Sequence, residues 1–347
     1  MVRAEALVNS AISNHAFPAA VVEVGRRDRV LWLQAFGRLT YQADAPATKT
    51  DTIFDLASLT KVIATTTLVM RAVDAGALSV DDRVAERLPD WRGSDREHVT
   101  VRDLLEHASG LTAYLPFFRD HRGRQEFERT ICTLPLEYVP RTQSIYSDLG
   151  FMLLGFILED VNGAPLADQF SALMGSLDVA YNPPREWRER TAPTELDLWR
   201  GRLLQGEVHD ENTWALGGAA GHAGLFGTAS AVGTFARMML SGLSGRAGLA
   251  EPATIVSFAT RTTVPASSRA LGWDTMLPTS SCGSRLSSRA IGHTGFTGTS
   301  LWIDPDQDLY IVLLTNRVHP ARDNDALQRI RPALHDAIVD EAEKVRL

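Results

Sequence analysis

Cysteine is nearly absent from this sequence. Two occur in 347 residues, Cys132 and Cys282, too few for a disulfide scaffold, and neither stands in a Cys-x-x-Cys pair of the kind that holds a metal. Their distance along the chain favours two separate buried thiols over a bond between them. Long apolar runs are missing as well. The most hydrophobic stretches, "FMLLGFILE" (151–159) and "LYIVLLT" (309–315), fall far short of the ~20 residues a membrane span needs. Nor is there a basic excess: 35 Lys and Arg stand against 42 Asp and Glu, a formal net charge of -7, which argues against nucleic acid as a partner. The cluster "RDHRGRQEFER" (119–129) mixes signs and reads as a solvated face. The N-terminal stretch lacks the compact apolar core of a leader and reads as an amphipathic helix. As given, the chain is expected to be cytoplasmic, or periplasmic or secreted if a leader was trimmed.

What is present is the composition of an ordinary globular protein, 44% hydrophobic and 22% charged, enough for one large core or two lobes. Residues 3–14 suggest a helix. "AAVVEVG" (19–25) and "VLWLQAFG" (30–37), separated by the charged turn "RRDR", give a hairpin signal. Helices are expected over 58–75, closed by Gly76, over 148–162, ending at Asn162-Gly163, and over 228–242 with Thr228 as N-cap. Residues 175–227 hold Pro, Gly and Trp with weak periodicity, and long loops of this kind are usually functional. "TSLWIDP" (299–305) and "DLYIVLLTN" (308–316) predict an antiparallel pair, and residues 324–347 a closing helix. Strands at both ends with helices between predict an α/β (α+β) fold: an antiparallel sheet flanked by helices and built from both chain ends, with a mainly helical lobe inserted. In that division residues 1–75 and 228–347 form the α/β lobe and 76–227 the helical lobe, with the active site between them.

"DLASLTKVIATTTLVM" (55–70) places a hydroxyl, Ser58, and an amine, Lys61, one helical turn apart on a shared face. Two fixed residues are a weak pattern, and most such pairs are a helix cap and a surface charge. Here, however, Lys61 leads into "VIATTTLVM", with no acidic residue four positions on. A lysine entering an apolar helix is expected to be at least partly buried, and desolvation disfavours its charged form and lowers its pKa. A neutral amine can accept a proton from Ser58, while the helix N-terminus favours negative charge growing on the serine oxygen. Those are the requirements for an activated hydroxyl nucleophile.

"FDLASLTK" (54–61) resembles the nucleophile motif of the serine β-lactamase and penicillin-binding superfamily, most of all its class C branch, which includes D-alanyl-D-alanine peptidases and related esterases. Companion segments follow in order. "SIYSDLGFMLLGFILE" (144–159) is similar to the Tyr-x-Asn element and the helix after it, here Tyr146-Ser147-Asp148. "GHTGFTGT" (292–299) resembles the Lys-Thr-Gly strand, here His293-Thr294-Gly295. "VTVRDLLEHASGL" (99–111), "GHAGLFGTASAVGTFARMML" (221–240) and "LTNRVHP" (314–320) match supporting segments, so the likeness covers nearly the whole chain from residue 19.

The resemblance implies roles. Ser58 attacks a carbonyl and is acylated. Lys61 holds and takes its proton, and Tyr146 is a shared base and later the acid for the leaving group. A tyrosine titrates near ~10 and needs a cation such as Lys61 to become basic; which of the two removes the first proton stays open. The oxyanion donors implied are the backbone N–H groups of Ser58 and Phe296. Gly295 lets its strand approach closely, and Thr294 binds a substrate carboxylate or orders water. Two residues depart from the pattern. Asp148 replaces the usual Asn, and an ionised carboxylate only accepts hydrogen bonds. It can pair with Lys61 and keep that amine charged, moving the base role toward Tyr146, and it can repel an anionic substrate group, which argues against penicillin-like turnover. His293 replaces Lys, as in some D,D-peptidases. Positive only at lower pH, it is expected to make carboxylate binding weaken as pH rises through its pKa; the plainer reading is a strand-end hydrogen bonder.

"RLLQGEVHDENTWALGGAAGHAGLFGT" (202–228) resembles a branch of the superfamily that handles cell-wall peptides and muropeptides, a branch that also ends its last strand in "TNRVHP". Either His209, Asp210 and Asn212 shape substrate contact in a loop flooring the acyl pocket, or the loop is self-satisfied, with Asp210 or Asn212 capping a turn. His209, Asp210 and His222 show no diagnostic metal-ligand spacing, and neither metal nor cofactor is expected. Asn316, Arg317 and His319 read as structural. The function expected is that of a serine hydrolase forming an acyl-enzyme on Ser58 and cleaving an amide or ester, with cell-wall-derived peptides as targets, of the D,D-peptidase or muropeptide amidase type. The alternatives are a carboxylesterase with weak β-lactamase activity and a noncatalytic penicillin-binding module; intact Ser58, Lys61 and Tyr146 argue against the last. The partner is a small-molecule or peptide substrate, and the oligomeric state is open.

Overall fold

A computed structural model describes residues 1–344. Its main sheet has six strands: β1 (Ala19–Gly25), β2 (Val30–Gly37), β3 (Asp274–Thr275), β4 (Ile291–Gly295), β5 (Thr299–Asp304) and β6 (Leu309–Thr315), in the order β2-β1-β6-β5-β4-β3. All neighbours are antiparallel. The two ends of the chain meet at its centre, where Ala20 faces Thr315 and Gly25 faces Tyr310. "LYIVLLT" has no polar alternation because both of its faces are covered, and every residue of β6 is buried.

Five helices frame the sheet and the site: α1 (Val2–Ser13), α2 (Thr67–Asp74), α3 (Asp148–Asn162), α4 (Ala229–Leu243) and α5 (Ala326–Lys344). On one face of the sheet, Ala4 and Val8 of α1 and Leu334 and Ile338 of α5 join a core with Val22 and Ile311. On the other face, Val232, Phe235 and Met239 of α4 share a core with Val21 and Val312. The alternation along β1 sends Glu23 toward α4, where it is fully buried. Its carboxylate accepts from Tyr310 Oη at 2.7 Å, Ser230 Oγ at 2.9 Å and Arg237 Nη1 at 3.2 Å, which meets the cost of burying the charge. Helix α3, apolar all round over "LGFMLLGFIL", is buried from Leu149 to Leu158. Ser147 caps its start and Gly163, at φ +62°, ends it. The weakly patterned middle is made of short pieces. Val179–Tyr181, Leu225–Gly227 and Phe54–Asp55 form a second sheet of three strands that carries the chain up to Ser58. Both cysteines are free and buried. Among the described residues no single helix is long and apolar enough to cross a membrane.

One predicted helix is corrected. The segment expected to be helical over 58–75 leaves Ser58 in a turn, is helical from Leu59, winds Lys61–Thr66 as a π-helix and is α-helical again over Thr67–Asp74. The cause is lateral bonding. Thr60 Oγ1 accepts from Leu225 N at 3.1 Å and Thr65 Oγ1 donates to Gly221 O at 2.6 Å, so the wide coil is tied to the neighbouring 221–225 segment. Wide turns of this kind are frequent at functional sites.

Candidate active site

Asp55 sets the approach to Ser58. Its buried carboxylate accepts from Ala57 N at 2.8 Å and His209 N at 2.7 Å. Burial still pushes its pKa up. Ala57 then takes φ +46°, a left-handed conformation that strains a residue with a side chain, and the turn presents Ser58 to a cleft. Ser58 Oγ accepts from Lys61 Nζ at 3.0 Å and from Tyr146 Oη at 2.8 Å.

Lys61 is fully buried. Besides Ser58 it donates to Asp148 Oδ1 at 2.7 Å and to the carbonyl of His222 at 3.0 Å. An ammonium has three N–H groups, and all three are taken. Of the two expectations, a neutral amine and an amine kept charged by Asp148, the structure has the second. Burial does work against the charge, but Asp148 and the neighbouring Tyr146 outweigh it and hold the Lys61 pKa above the ordinary lysine value. The acidic partner missing four residues on arrives from the first residue of α3.

Tyr146 is fixed by its flanks. His107 Nδ1 accepts from Ser147 N at 3.0 Å, and Ser147 Oγ donates to Thr112 O at 2.6 Å. The phenol ring lies between those of His107 and His293, with centroids 4.8 and 5.8 Å away. Burial raises the phenol pKa above its ordinary value even though Lys61 pulls it down, so Tyr146 holds its proton at rest.

His293 on β4 is 3% exposed, with Nδ1 2.8 Å from Thr294 O and Nε2 without a partner among the described residues. Burial, then the charges of Arg269 and Lys61, keep its pKa well below the usual histidine value. It is neutral at neutral pH, which corrects the expectation of a titrating cation. Gly295 is required by contact: a Cβ there would lie 2.1 Å from Thr299 Oγ1 and 2.6 Å from Leu56 O. Thr297 Oγ1 donates to Asp55 O at 2.7 Å and Thr299 Oγ1 to Leu56 O at 3.0 Å, stitching the β4–β5 turn to the segment before Ser58. Neither the Ser58 N–H nor the Phe296 N–H has an acceptor among the described residues.

The cleft holds about 590 Å³, and Ser58, Tyr146, His293, Thr294, Gly295 and Phe296 line it. Three cations missed in the sequence line it too: Arg269, Arg317 and Arg331. Arg269 lies 5.3 Å from the Tyr146 ring centroid and Arg317 4.6 Å from that of Phe296. Arg317, read as structural, thus faces the cleft. The 209–212 loop is placed differently from its functional reading. Asn212 is fully buried, accepting from Phe118 N at 2.9 Å and donating to Leu115 O at 2.9 Å. Asp210 caps Glu211–Ala215 and pairs with His222 Nε2 at 2.9 Å. His209 bonds Glu195 at 2.9 Å and stacks on Phe296, centroids 5.6 Å apart. Asp148 too is turned to Lys61. None of these four residues is in the cleft lining.

A family model described as Beta-lactamase matches residues 4–335. The chain belongs to the beta-lactamase family. It is a serine hydrolase of that family, as its relatives bear out. It is 34% identical to the N-acetylmuramyl-L-alanine amidase of Bacillus subtilis (strain 168), over 87% of this chain and 78% of that protein. It is 33% identical to a putative D-alanyl-D-alanine carboxypeptidase of Escherichia coli (strain K12), over 78% of this chain and 70% of that protein. Among solved structures, a class C beta lactamase from Rhodobacter sphaeroides superposes with a TM-score of 0.74 at 23% identity, covering 97% of this chain and 99% of that one. EstCE1, a hydrolase with promiscuous acyltransferase activity, does so with a TM-score of 0.76 at 22% identity, covering 97% of each. At such identities these two share the beta-lactamase fold and nothing further is taken from them.

Proposed function

We propose that the chain hydrolyses an amide of a cell-wall-derived peptide through an acyl-enzyme on Ser58. The observation that carries this reading is the position of Ser58 Oγ, 3.0 Å from Lys61 Nζ and 2.8 Å from Tyr146 Oη, at the mouth of a cleft. In the resting cluster the serine, the phenol and the ammonium are all protonated, and Asp148, hydrogen-bonded to Lys61, is the acceptor the proton relay uses. Lys61 passes a proton to Asp148 as it takes one from Ser58, and Oγ adds to the substrate carbonyl. The oxyanion meets the free N–H groups of Ser58 and Phe296. Tyr146 gives its proton to the departing amine, leaving an acyl-serine and a phenolate. The phenolate then takes a proton from water, hydroxide adds to the ester, and the proton stored on Asp148 returns through Lys61 to Ser58. Every proton is restored at the end of the cycle.

The names of the relatives support peptide amides of the cell wall as the substrate class: a muramyl-L-alanine amide or a D-alanyl-D-alanine peptide. The test is to incubate the chain and its Ser58→Ala variant with one substrate of each type and to identify products by mass spectrometry. Cleavage of at least one, abolished in the variant, is expected. If both amides survive while short aryl esters are hydrolysed, the carboxylesterase reading replaces this one. A stable acyl adduct without turnover would leave the noncatalytic binding module.

A further inference from the structure

We propose that His209 is a positioning residue for the two oxyanion donors, holding Phe296 through its ring and the segment before Ser58 through its backbone. The inference rests on the reading of Ser58 as the nucleophile and adds to that site a residue that does not line the cleft.

Phe296 needs such a support. It sits in the tight turn between β4 and β5, closed by Gly298 N, which donates to Gly295 O at 3.0 Å. The next residue, Thr297, is tied to Asp55 O through its hydroxyl. Phe296 has only its ring to fix it. It is 50% exposed, and its N–H has no acceptor among the described residues. A half-exposed ring at the tip of a turn is loose unless another group packs on it. His209 packs there, with ring centroids 5.6 Å apart and planes inclined by 26°, the offset stack that aromatic pairs prefer. A donor stabilises charge developing in a transition state best when its place is fixed beforehand.

His209 is itself held through three polar atoms. Its Nε2 bonds Glu195 Oε2 at 2.9 Å, and Glu195 is locked by Arg322, 2.6 Å away, which also pairs with Glu211 at 2.8 Å. Its carbonyl accepts from Arg200 Nη2 at 2.7 Å. Its backbone N–H donates to Asp55 Oδ2 at 2.7 Å, and the other oxygen of Asp55 accepts from Ala57 N at 2.8 Å. Ala57, at φ +46°, directly precedes Ser58. His209 is 4% exposed and absent from the cleft lining, so it acts on a substrate only through its neighbours. Those neighbours are the two turns that carry the free N–H groups. Removing the ring leaves the backbone bonds in place, so a variant side chain isolates the Phe296 half of the clamp.

The test compares the wild type, His209→Ala and His209→Phe, which keeps a ring and loses the bond to Glu195. Single-turnover acylation by 4-nitrophenyl acetate gives a rate and a saturation constant. Affinity for phenylboronic acid, which adds to Ser58 Oγ and places a hydroxyl where the oxyanion forms, is the second readout. In His209→Ala the acylation rate and the boronate affinity should each fall about tenfold, with the saturation constant moving less than about twofold; His209→Phe should recover most of both losses. Where His209→Ala does not fold, His209→Gln, which keeps a donor toward Glu195, replaces it with the same expected losses. A changed saturation constant with unchanged boronate affinity, no effect at all, or a His209→Phe enzyme as impaired as His209→Ala overturns the clamp. If the wild type neither hydrolyses the ester through Ser58 nor binds the boronate, the nucleophile reading is what fails. Fluorine NMR of protein labelled with 4-fluorophenylalanine then decides the clamp. The Phe296 signal, identified by its loss in Phe296→Leu, should move toward its unfolded-chain position in His209→Ala or His209→Gln, and an unmoved signal overturns the proposal.

Discussion

Asp148 Oδ1 stands 2.7 Å from Lys61 Nζ, so the counter-charge of the buried amine is a carboxylate from the first turn of α3 and not a phenolate. That single pairing decides the resting protonation of the site. With the carboxylate in place Lys61 keeps all three protons, burial first keeps the proton on Tyr146, and in the proposed mechanism the proton leaving Ser58 passes through Lys61 to Asp148.

Asp148→Asn removes that destination while preserving shape and a hydrogen-bond acceptor. The kcat/KM at pH 7 should fall about a hundredfold and recover as pH rises far enough to deprotonate Lys61, moving the acidic limb of the profile upward. A phenolate mechanism predicts the opposite sign. Without Asp148 the Tyr146 phenol would ionise more readily, and the limb would move down. A pH–rate profile of the two proteins separates the cases.

Tyr146→Phe deletes the hydroxyl 2.8 Å from Ser58 Oγ and leaves the Lys61–Asp148 pair untouched. If the phenol's first task is to protonate the leaving group, the loss should depend on what leaves. An amide should lose about 10²–10⁴-fold in kcat, whereas a 4-nitrophenyl ester, whose leaving group needs no proton, should lose much less in acylation. Equal losses on both in single-turnover measurements would remove the general-acid role.

Much of this architecture was legible in the chain. The limits of β1 and β2, the closure of α3 at Gly163 and the Thr228 cap follow from β-branched and aromatic runs, glycine and hydroxyl signals that act within a few residues. The cluster of Ser58, Lys61 and Tyr146 was readable because three short patterns occur in order. The Lys61–Asp148 pair could be anticipated from the Asp standing in place of Asn, but sequence patterns carry little else of who pairs with whom across the fold. Only three of the 35 cationic residues are lysines, Lys49, Lys61 and Lys344, and that scarcity was a usable signal for Lys61. The arginines are too many for Arg269, Arg317 and Arg331 to stand out, and their convergence depends on the segment before β3, the segment after β6 and α5 meeting at one cleft. The charge of His293 was misjudged for the same reason: its burial and the cations around it come from segments remote in sequence.

Because His293 is neutral and the cleft's cations are arginines, a carboxylate-bearing ester should show a KM that stays flat between about pH 6 and 8. A KM that climbs through that range would return His293 to the role of carboxylate-binding cation. His293→Gln, which keeps a donor in its place, should leave the flatness unchanged.

Gly295→Ala pushes a Cβ to within 2.6 Å of the Leu56 carbonyl and 2.1 Å of Thr299 Oγ1. The hydroxyl can turn, but the carbonyl belongs to the segment that presents Ser58. The Phe296 N–H must therefore shift away from the oxyanion position. The expected result is a loss of about 10²–10³-fold in kcat, with a stability cost of about 1–3 kcal/mol in denaturant unfolding. A variant with full activity would place the oxyanion donor elsewhere.

His335 offers a test that does not touch the chemistry. It is fully buried, neither ring nitrogen has a partner among the described residues, and burial together with Arg331 brings its pKa down to about 3. The unfolded value is about 6.5. Below about pH 6.5 the unfolded chain takes up a proton at this residue and the folded chain does not, so the stability it permits above that pH is lost as pH falls toward its folded pKa. The loss is about 1.4 kcal/mol per pH unit. His335→Leu fills the same space, removes two unbonded nitrogens and removes the titration. The variant should be more stable by about 1–2 kcal/mol at pH 7, and its advantage should widen by about 1.4 kcal/mol for each unit between pH 6 and 4. Urea unfolding at several pH values measures both effects. Two stability curves that stay parallel over that range would mean that His335 protonates in the folded protein, and that Arg331 tolerates a second charge one helical turn away.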